Sequence, residues 1–424
     1  MNYTFTAKNT KNKINAISSK SEAHRLLICA ALSDGETCIV CNDTNQDIDA
    51  TVSCLNALGA SIIRAENGDG EKCFNVTPIG QIPTYAAFDC GESGSTLRFL
   101  WPVVAALGIE CDIYMHGRLP ERPLSPLYEL LTENGVSLSP QGSNPLHVSG
   151  RLKSGNYEIA GNISSQFISG LLFALPFADG DSTLTMTGKL ESTPYITMTE
   201  QALECFEAHI RNDGNMFYIP RANSCVGLNR FTTPHTVFVG GDWSNAAFFL
   251  CAGALSKGGV TVCGLDVTSP QGDREILNIL KRMGAAISRS GNSITVSKAD
   301  LFGIEIDASQ IPDLVPVISV VASVAMGKTR IYNASRLRLK ESDRLRSVCD
   351  MLSSLGADIK ETEDGLIIHG INRKLTGGTV SSHNDHRIAM SAAVASLVCT
   401  GPVTVEGIEA VNKSYPTFIS DFVI

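Results

Sequence analysis

The chain contains no run of apolar residues approaching the roughly 18 needed to span a bilayer, and Asp, Lys or Gly interrupts the longest ones. That pattern argues against a helical membrane protein. The N-terminus, MNYTFTAKNTKNKINA, lacks the apolar segment of a signal peptide, so a cytoplasmic location is the expectation. Excess positive charge is also missing: 34 Lys and Arg stand against 43 Asp and Glu, a net charge of −9. A nucleic-acid binder ordinarily shows a basic domain or stripe, so no nucleic-acid partner is expected. An anionic small molecule stays open, because a local cation cluster overrides the mean field. Metal-ligand spacing is lacking too. The thirteen cysteines are scattered, Cys38-Ile-Val-Cys41 is the single C-x-x-C, and no second pair or neighbouring histidines follow it. The motif reads as two positions of one buried strand, and the odd count suits a reduced protein rather than a disulfide framework.

What is present is a sixfold repeat. Segments beginning at Ser21, Ser95, Ser165, Ser244, Asp313 and Asp385 each run through apolar and small residues to a glycine. Those glycines, Gly35, Gly108, Gly180, Gly258, Gly327 and Gly401, recur at intervals of 69 to 78 residues. Ser and Asp favour helix N-caps and glycine favours the C-terminal stop, so six buried helices with polar starts are expected. A helix start carries unpaired N–H groups and partial positive charge, which suits phosphate or carboxylate. A second helix follows in each unit, ending in Leu-x-x-x-Gly-small-x-apolar, as in LNALGASI (55–62), LKRMGAAI (280–287) and LSSLGADI (352–359). Between and after the helices lie alternating, β-branched runs that read as strands. A period near 72 exceeds that of a solenoid repeat and matches an α/β subdomain. Six units group as three plus three, dividing near 232–242, and a cleft between two such halves is a natural ligand site.

The loops ahead of the second helices hold much of the charge: His116-Gly-Arg118-Leu-Pro-Glu-Arg122, Lys189-Leu-Glu-Ser192-Thr-Pro-Tyr195, Gln271-Gly-Asp273-Arg274, Arg336-Leu-Arg338-Leu-Lys340-Glu341-Ser-Asp343-Arg344 and Lys413-Ser-Tyr-Pro. Any one of these alone reads as a solvated loop, but their recurrence at one place favours an anion site. The first helices add Ser19-Lys20-Ser21 with Arg25, Gly91-Glu-Ser-Gly94 with Arg98, Ser164-Ser165-Gln166, Asp313, and Asn384-Asp385-His386-Arg387. Arg25, Arg98 and Arg387 stand near helix starts, where a cation opposes the dipole by ~0.3–1 kcal/mol unless an anion sits beside it. Asp313 and Glu341, set among cations, are candidates for proton transfer; for Asp313 plain N-capping is the alternative, and for Ser164, Ser165 and Gln166 capping alone is. Asp343 reads as structural.

These motifs, from residue 19 to Lys413, resemble those of the 5-enolpyruvylshikimate-3-phosphate synthase family; L-K-E-S-D-R (339–344) and N-D-H-R (384–387) are the most specific. The resemblance implies an α/β fold of two similar domains, each of three βαβαββ units, with the active site in the interdomain cleft. The domains would comprise 16–234, and 1–15 plus 235–424. It implies enolpyruvyl transfer from phosphoenolpyruvate to the 5-hydroxyl of shikimate 3-phosphate, with no metal or organic cofactor, by a monomer. Shikimate 3-phosphate would meet Lys20, Ser21, Arg25, Ser164, Ser165, Ser192, Tyr195, Asp313, Arg336 and Lys340. Phosphoenolpyruvate would meet Lys20, Gly94, Arg118, Gln166, Arg344, Arg387 and Lys413. Asp313 would take the hydroxyl proton and Glu341 would serve the methylene carbon, with Lys20, Lys340 and His386 beside them.

Two positions depart from the family pattern: Glu92 and Arg336 stand where Asn is usual. The sister transferase acting on UDP-N-acetylglucosamine is disfavoured, because the 116–123 loop holds neither the Cys nor the Asp of that family. A non-catalytic anion-binding module would lack the proton-transfer groups Asp313 and Glu341.

Overall fold

The computed structural model describes residues 1–6, 10–225, 228–371 and 374–423. The chain forms two compact units, Ser18–Val239 and Met1–Ile17 joined to Gly240–Ile424.

One motif accounts for both. In it two parallel strands are linked by a buried helix, and a second helix leads to an antiparallel hairpin that adds to the same sheet. In the unit Ser18–Val239, Tyr85–Asp89 runs parallel to Glu110–Tyr114, which pairs antiparallel with Leu146–Gly150 and through it with Val136–Leu138. Asn156–Ala160, Ser182–Thr187, Met216–Ile219 and Arg211–Asn212 repeat that order. The third sheet takes its first strand from far along the chain: Thr236–Phe238 lies parallel to Thr37–Val40, with Thr236 opposite Cys38. That pairing keeps residues 236–238 with this unit.

The other unit is assembled the same way. Glu305–Asp307 starts one sheet, next to Met326–Tyr332. The N-terminal segment completes the remaining two. Lys13–Asn15 lies parallel to Val260–Cys263, and Asn2–Phe5 lies antiparallel to Val403–Glu406.

A parallel pair needs a crossover. Six buried helices fill this place, four of them joining a parallel pair directly and two preceding Thr37–Val40 and Val260–Cys263, whose parallel partners come from elsewhere in the chain. They are Lys20–Ala31, Gly94–Leu107, Ser165–Ala174, Trp243–Leu255, Val315–Val324 and His386–Ser396. Trp243–Leu255 is buried on every side except Ser244, as expected for a helix apolar all round. Ile276–Met283 buries only Ile276, Ile279, Leu280 and Met283, one stripe at helical spacing. Each unit has its own apolar core around these helices.

The helix ends differ in detail from the sequence expectation. The capping side chains are Ser19, Ser93, Ser164, Asp242 and Asp385. Ser21, Ser95, Ser165 and Ser244 therefore fall inside the first turn rather than at the cap. Asp313 does not occupy a cap position: it lies in the short 3-10 turn Pro312–Leu314, whose N-cap residue is Ile311, and Leu314 is the N-cap residue of the helix behind it. Of the six glycines only Gly108 is a left-handed C-cap, at φ 72°. The other helices stop three to six residues before their glycine.

Candidate active-site residues

The unit Met1–Ile17 with Gly240–Ile424 gathers a charge cluster around Arg344, the first residue of the helix Arg344–Ser354. Arg344 is 1% exposed. Its Nη1 donates to Asp313 Oδ1, its Nη2 to Glu341 Oε2 and its Nε to Asp385 Oδ2, each at 2.7 Å. Arg387 Nη2 donates to the other oxygen of Asp313 at 3.0 Å. Asp385 also takes the Ser342 hydroxyl at 3.0 Å and caps its own helix through Arg387 N–H at 2.9 Å. Lys413 Nζ donates to the carbonyl of Asn384 at 2.6 Å. His383 and Asn384 just before the cap both have positive φ, 51° and 55°, a strained approach for non-glycine residues that packing must hold.

Burial opposes charge on Asp313, but Arg387, Lys340 and Arg344 outweigh it against the repulsion of Glu341, so its carboxyl titrates far below the usual range. Burial likewise opposes charge on Arg344, and the carboxylates of Asp385, Glu341 and Asp313 prevail and hold it protonated. A paired, ionised Asp313 is already a proton acceptor. An anionic ligand competing for Arg344 and Arg387 would loosen its pairing and raise its proton affinity. Glu341 and Asp343 precede the helix rather than lying on it, and Asp343 is its N-cap, accepting from Arg346 N–H at 3.1 Å. Arg336 reaches the carbonyl of Ser309 at 2.9 Å, bracing the turn that leads to Asp313. His386 is buried at the start of its helix.

The unit Ser18–Val239 brings together a second group. Arg25 is 2% exposed and lies over the Phe99 ring at 5.0 Å. Its hydrogen-bond partners among the described residues are neutral oxygens: Thr199 Oγ1 at 2.9 Å, the Tyr195 carbonyl at 2.9 Å and the Ser21 carbonyl at 2.5 Å. Burial lowers its pKa to about 10, with Tyr195, Glu22 and Cys29 opposing. A buried guanidinium held by neutral groups favours an incoming anion. Ser169, one turn beyond Ser165, meets Thr199 at 2.7 Å, so the helix starting at Ser164 adjoins Arg25. Ser164 caps that helix through Gln166 N–H at 3.3 Å, which realises the capping reading. Ser192 sits at φ 54°, buried, at the start of the helix carrying Tyr195. Lys20 pairs with Asp47 at 2.6 Å.

Gly94 lies beneath two guanidiniums: a Cβ there would stand 2.6 Å from Arg122 Nη1 and 2.7 Å from Arg98 Nη1. Gln166 joins this place through Ser95 Oγ at 3.0 Å and Arg98 at 3.5 Å. Arg118, by contrast, has a side chain 47% exposed, 3.9 Å from Glu121. The Glu92 carboxylate lies against Gly117, where any Cβ would strike it, and so rests on the 116–118 turn.

The structure adds residues that sequence reasoning passed over. Arg122 is 9% exposed, deeper than Arg118 in the same motif. Asp385 was visible within the N-D-H-R motif but not as the partner of Arg344. Asp273 is 2% exposed, bonded through Oδ2 to the Ser244 hydroxyl, with Oδ1 unpartnered among the described residues. Burial, and then the charge of Asp313, push its pKa up to about 7, against Arg387 and the Ser244 bond. The Gln-Gly-Asp motif was the available signal, but its charge read as loop.

A family profile described as EPSP synthase (3-phosphoshikimate 1-carboxyvinyltransferase) matches residues 6–422. A 3-phosphoshikimate 1-carboxyvinyltransferase of Clostridium perfringens is 43% identical, covering 99% of this chain and 96% of its own length. One from Clostridium kluyveri is 44% identical over 95% of this chain and 92% of its own. A solved EPSP synthase from Acinetobacter baumannii superposes with a TM-score of 0.77 at 27% identity, covering 99% of this chain and 97% of that one. The enolpyruvyl transferase NikO from Streptomyces tendae shares the fold, with a TM-score of 0.74 at 16% identity over 99% and 96% of the two chains.

Proposed function

The chain belongs to the EPSP synthase family, and from that premise we propose how its residues divide the work of the reaction. It is an enzyme that transfers the enolpyruvyl group of phosphoenolpyruvate to the 5-hydroxyl of shikimate 3-phosphate and releases phosphate. The observation that carries the division is the buried Arg344, bonded at once to Asp313, Glu341 and Asp385.

In this reading, phosphoenolpyruvate binds Arg344, Arg387 and Lys413 together with Gly94, Gln166, Arg118 and Lys20. Its negative charge draws the guanidiniums from Asp313, whose carboxylate then accepts the proton of the 5-hydroxyl. Glu341, carrying a proton once Arg344 has turned to the ligand, gives it to the methylene carbon, which becomes a methyl, so positive charge develops on the neighbouring carbon as the hydroxyl oxygen attacks. Glu341 then takes a proton back from that methyl as the C–O bond to phosphate breaks, and the cations stabilise the leaving phosphate. Arg25, Lys20, Ser21, Ser164, Ser165, Ser192 and Tyr195 hold shikimate 3-phosphate, with Arg336 and Lys340 adding cations. Lys20 and His386 stand beside the reacting atoms. We place the enzyme in the cytoplasm, as a monomer.

Incubation with phosphoenolpyruvate and shikimate 3-phosphate should release inorganic phosphate in step with loss of both substrates. Release that instead requires UDP-N-acetylglucosamine would overturn the assignment.

A further inference from the structure

Four buried side chains form a continuous hydrogen-bonded chain in the unit Ser18–Val239. His24 Nδ1 meets Thr51 Oγ1 at 2.7 Å, Thr51 Oγ1 meets Thr96 Oγ1 at 2.7 Å, and Thr96 Oγ1 donates to Ser93 Oγ at 2.7 Å. His24, Thr51 and Thr96 are 0% exposed and Ser93 is 1% exposed. They come from three helices and end at the cap of Gly94–Leu107.

Proton counting sets the direction of the chain. Thr96 has one hydroxyl proton, and the geometry directs it to Ser93 Oγ at 2.7 Å or, more distantly, to the Asp47 carbonyl at 3.5 Å. Thr96 therefore donates toward Ser93 or Asp47, and Thr51 must donate to Thr96. Thr51's single proton is then used, so His24 Nδ1 carries the hydrogen and donates to Thr51. That tautomer leaves Nε2 as a bare lone pair, and His24 Nε2 has no hydrogen-bond partner among the described residues. Burial, with the charges of Lys20 and Arg25, holds the ring neutral. At the far end Ser93 Oγ accepts both the hydroxyl and, at 3.3 Å, the N–H of Thr96, while Ser93 N–H closes the turn on the Cys90 carbonyl at 3.0 Å.

We propose that His24 is a positioning residue for phosphoenolpyruvate: as the Nδ1–H tautomer it fixes, through Thr51 and Thr96, the rotamer of Ser93 and with it the helix start at Gly94. The proposal rests on the reading of Gly94 as part of the phosphoenolpyruvate site. Lys20 is anchored by the side-chain carboxylate of Asp47 at 2.6 Å rather than by the hydroxyl chain, so the effect should fall on one substrate.

His24→Phe removes the donor and keeps an aromatic ring, Thr51→Val breaks the next link, and His24→Asn offers an amide N–H where Nδ1–H stood. The KM for phosphoenolpyruvate should rise about 3- to 10-fold in the Phe and Val variants, the effect of one hydrogen bond. Their kcat and their KM for shikimate 3-phosphate should stay within about 2-fold, and His24→Asn should restore the wild-type KM. An unchanged phosphoenolpyruvate KM in a folded variant, equal rises for both substrates, or an Asn variant as impaired as the Phe one would each overturn the proposal. Nitrogen NMR of the histidine-labelled full chain tests the tautomer without turnover. A neutral Nδ1–H ring at His24 at about pH 6 is expected, and an Nε2–H or charged ring there would refute it even if the enzyme used other substrates. Should His24→Phe fail to fold, Thr51→Val and this spectrum decide.

Discussion

Arg344 bonds carboxylates 3, 31 and 41 residues away, and their charge outweighs burial and holds it firmly protonated. Glu341→Gln keeps the shape of one partner and removes its charge and its proton. We expect kcat to fall about 100-fold or more, with both KM values within about 3-fold. A loss in KM as large as the loss in kcat would make Glu341 a binding group instead. Asp273 gives a pH prediction. Its folded pKa of about 7 lies above the ordinary carboxyl value of 3.8, so between those values the folded chain holds the extra proton. Its contribution to stability is therefore present at low pH and is lost as pH rises through about 7. Asp273→Asn never ionises, so it should match wild type near pH 4 and be more stable at pH 8, by on the order of 2–4 kcal/mol. Urea unfolding at the two pH values checks this, and a pH-independent difference would remove Asp273 as the source. Asp313 and Glu341 were legible because they sit in distinctive motifs. Asp273 was not, because a charge in a loop is exposed by default and only packing buries it.

At the scale of elements, the decisive contacts are those between helix starts. Gly170 lets Ser165–Ala174 approach Gly94–Leu107 so closely that a Cβ would strike the Arg98 carbonyl oxygen, which cannot swing aside as a side chain can. Gly170→Ala should lower stability by about 1–3 kcal/mol. Gly258→Ala has nothing within 4 Å and no left-handed backbone, so it should stay within about 0.5 kcal/mol of wild type. Denaturation midpoints of the pair test this, and equal effects would refute it. Sequence alone ranks these glycines the other way, since Gly258 ends a repeat and Gly170 interrupts a helix. The repeat glycines mark helix ends poorly for a related reason: only at Gly108 does a left-handed residue cap the helix, while Gly327, also at positive φ of 91°, already lies in the strand Met326–Tyr332.

The two units differ in how the chain builds them. Ser18–Val239 is continuous, and its late strand Thr236–Phe238 closes the first sheet. The other unit needs Asn2–Phe5 and Lys13–Asn15, contributed from the opposite end of the sequence. A fragment of 18–239 should fold cooperatively alone, whereas 240–424 should not until residues 1–17 are supplied. Circular dichroism melts of the fragments decide, and a cooperative transition in 240–424 by itself would contradict it. The sequence by itself determined the sixfold helix and strand pattern, because hydrophobic periodicity and strand alternation are local properties. It also determined the family, because the motifs are contiguous. Only the tertiary structure decided which carboxylate faces which guanidinium, that Arg122 lies under cover while Arg118 stands half in solvent, and that Asp273 is buried. Strand pairing and ionic attraction depend on distance through space and on the exclusion of water, and neither can be read from separation along the chain.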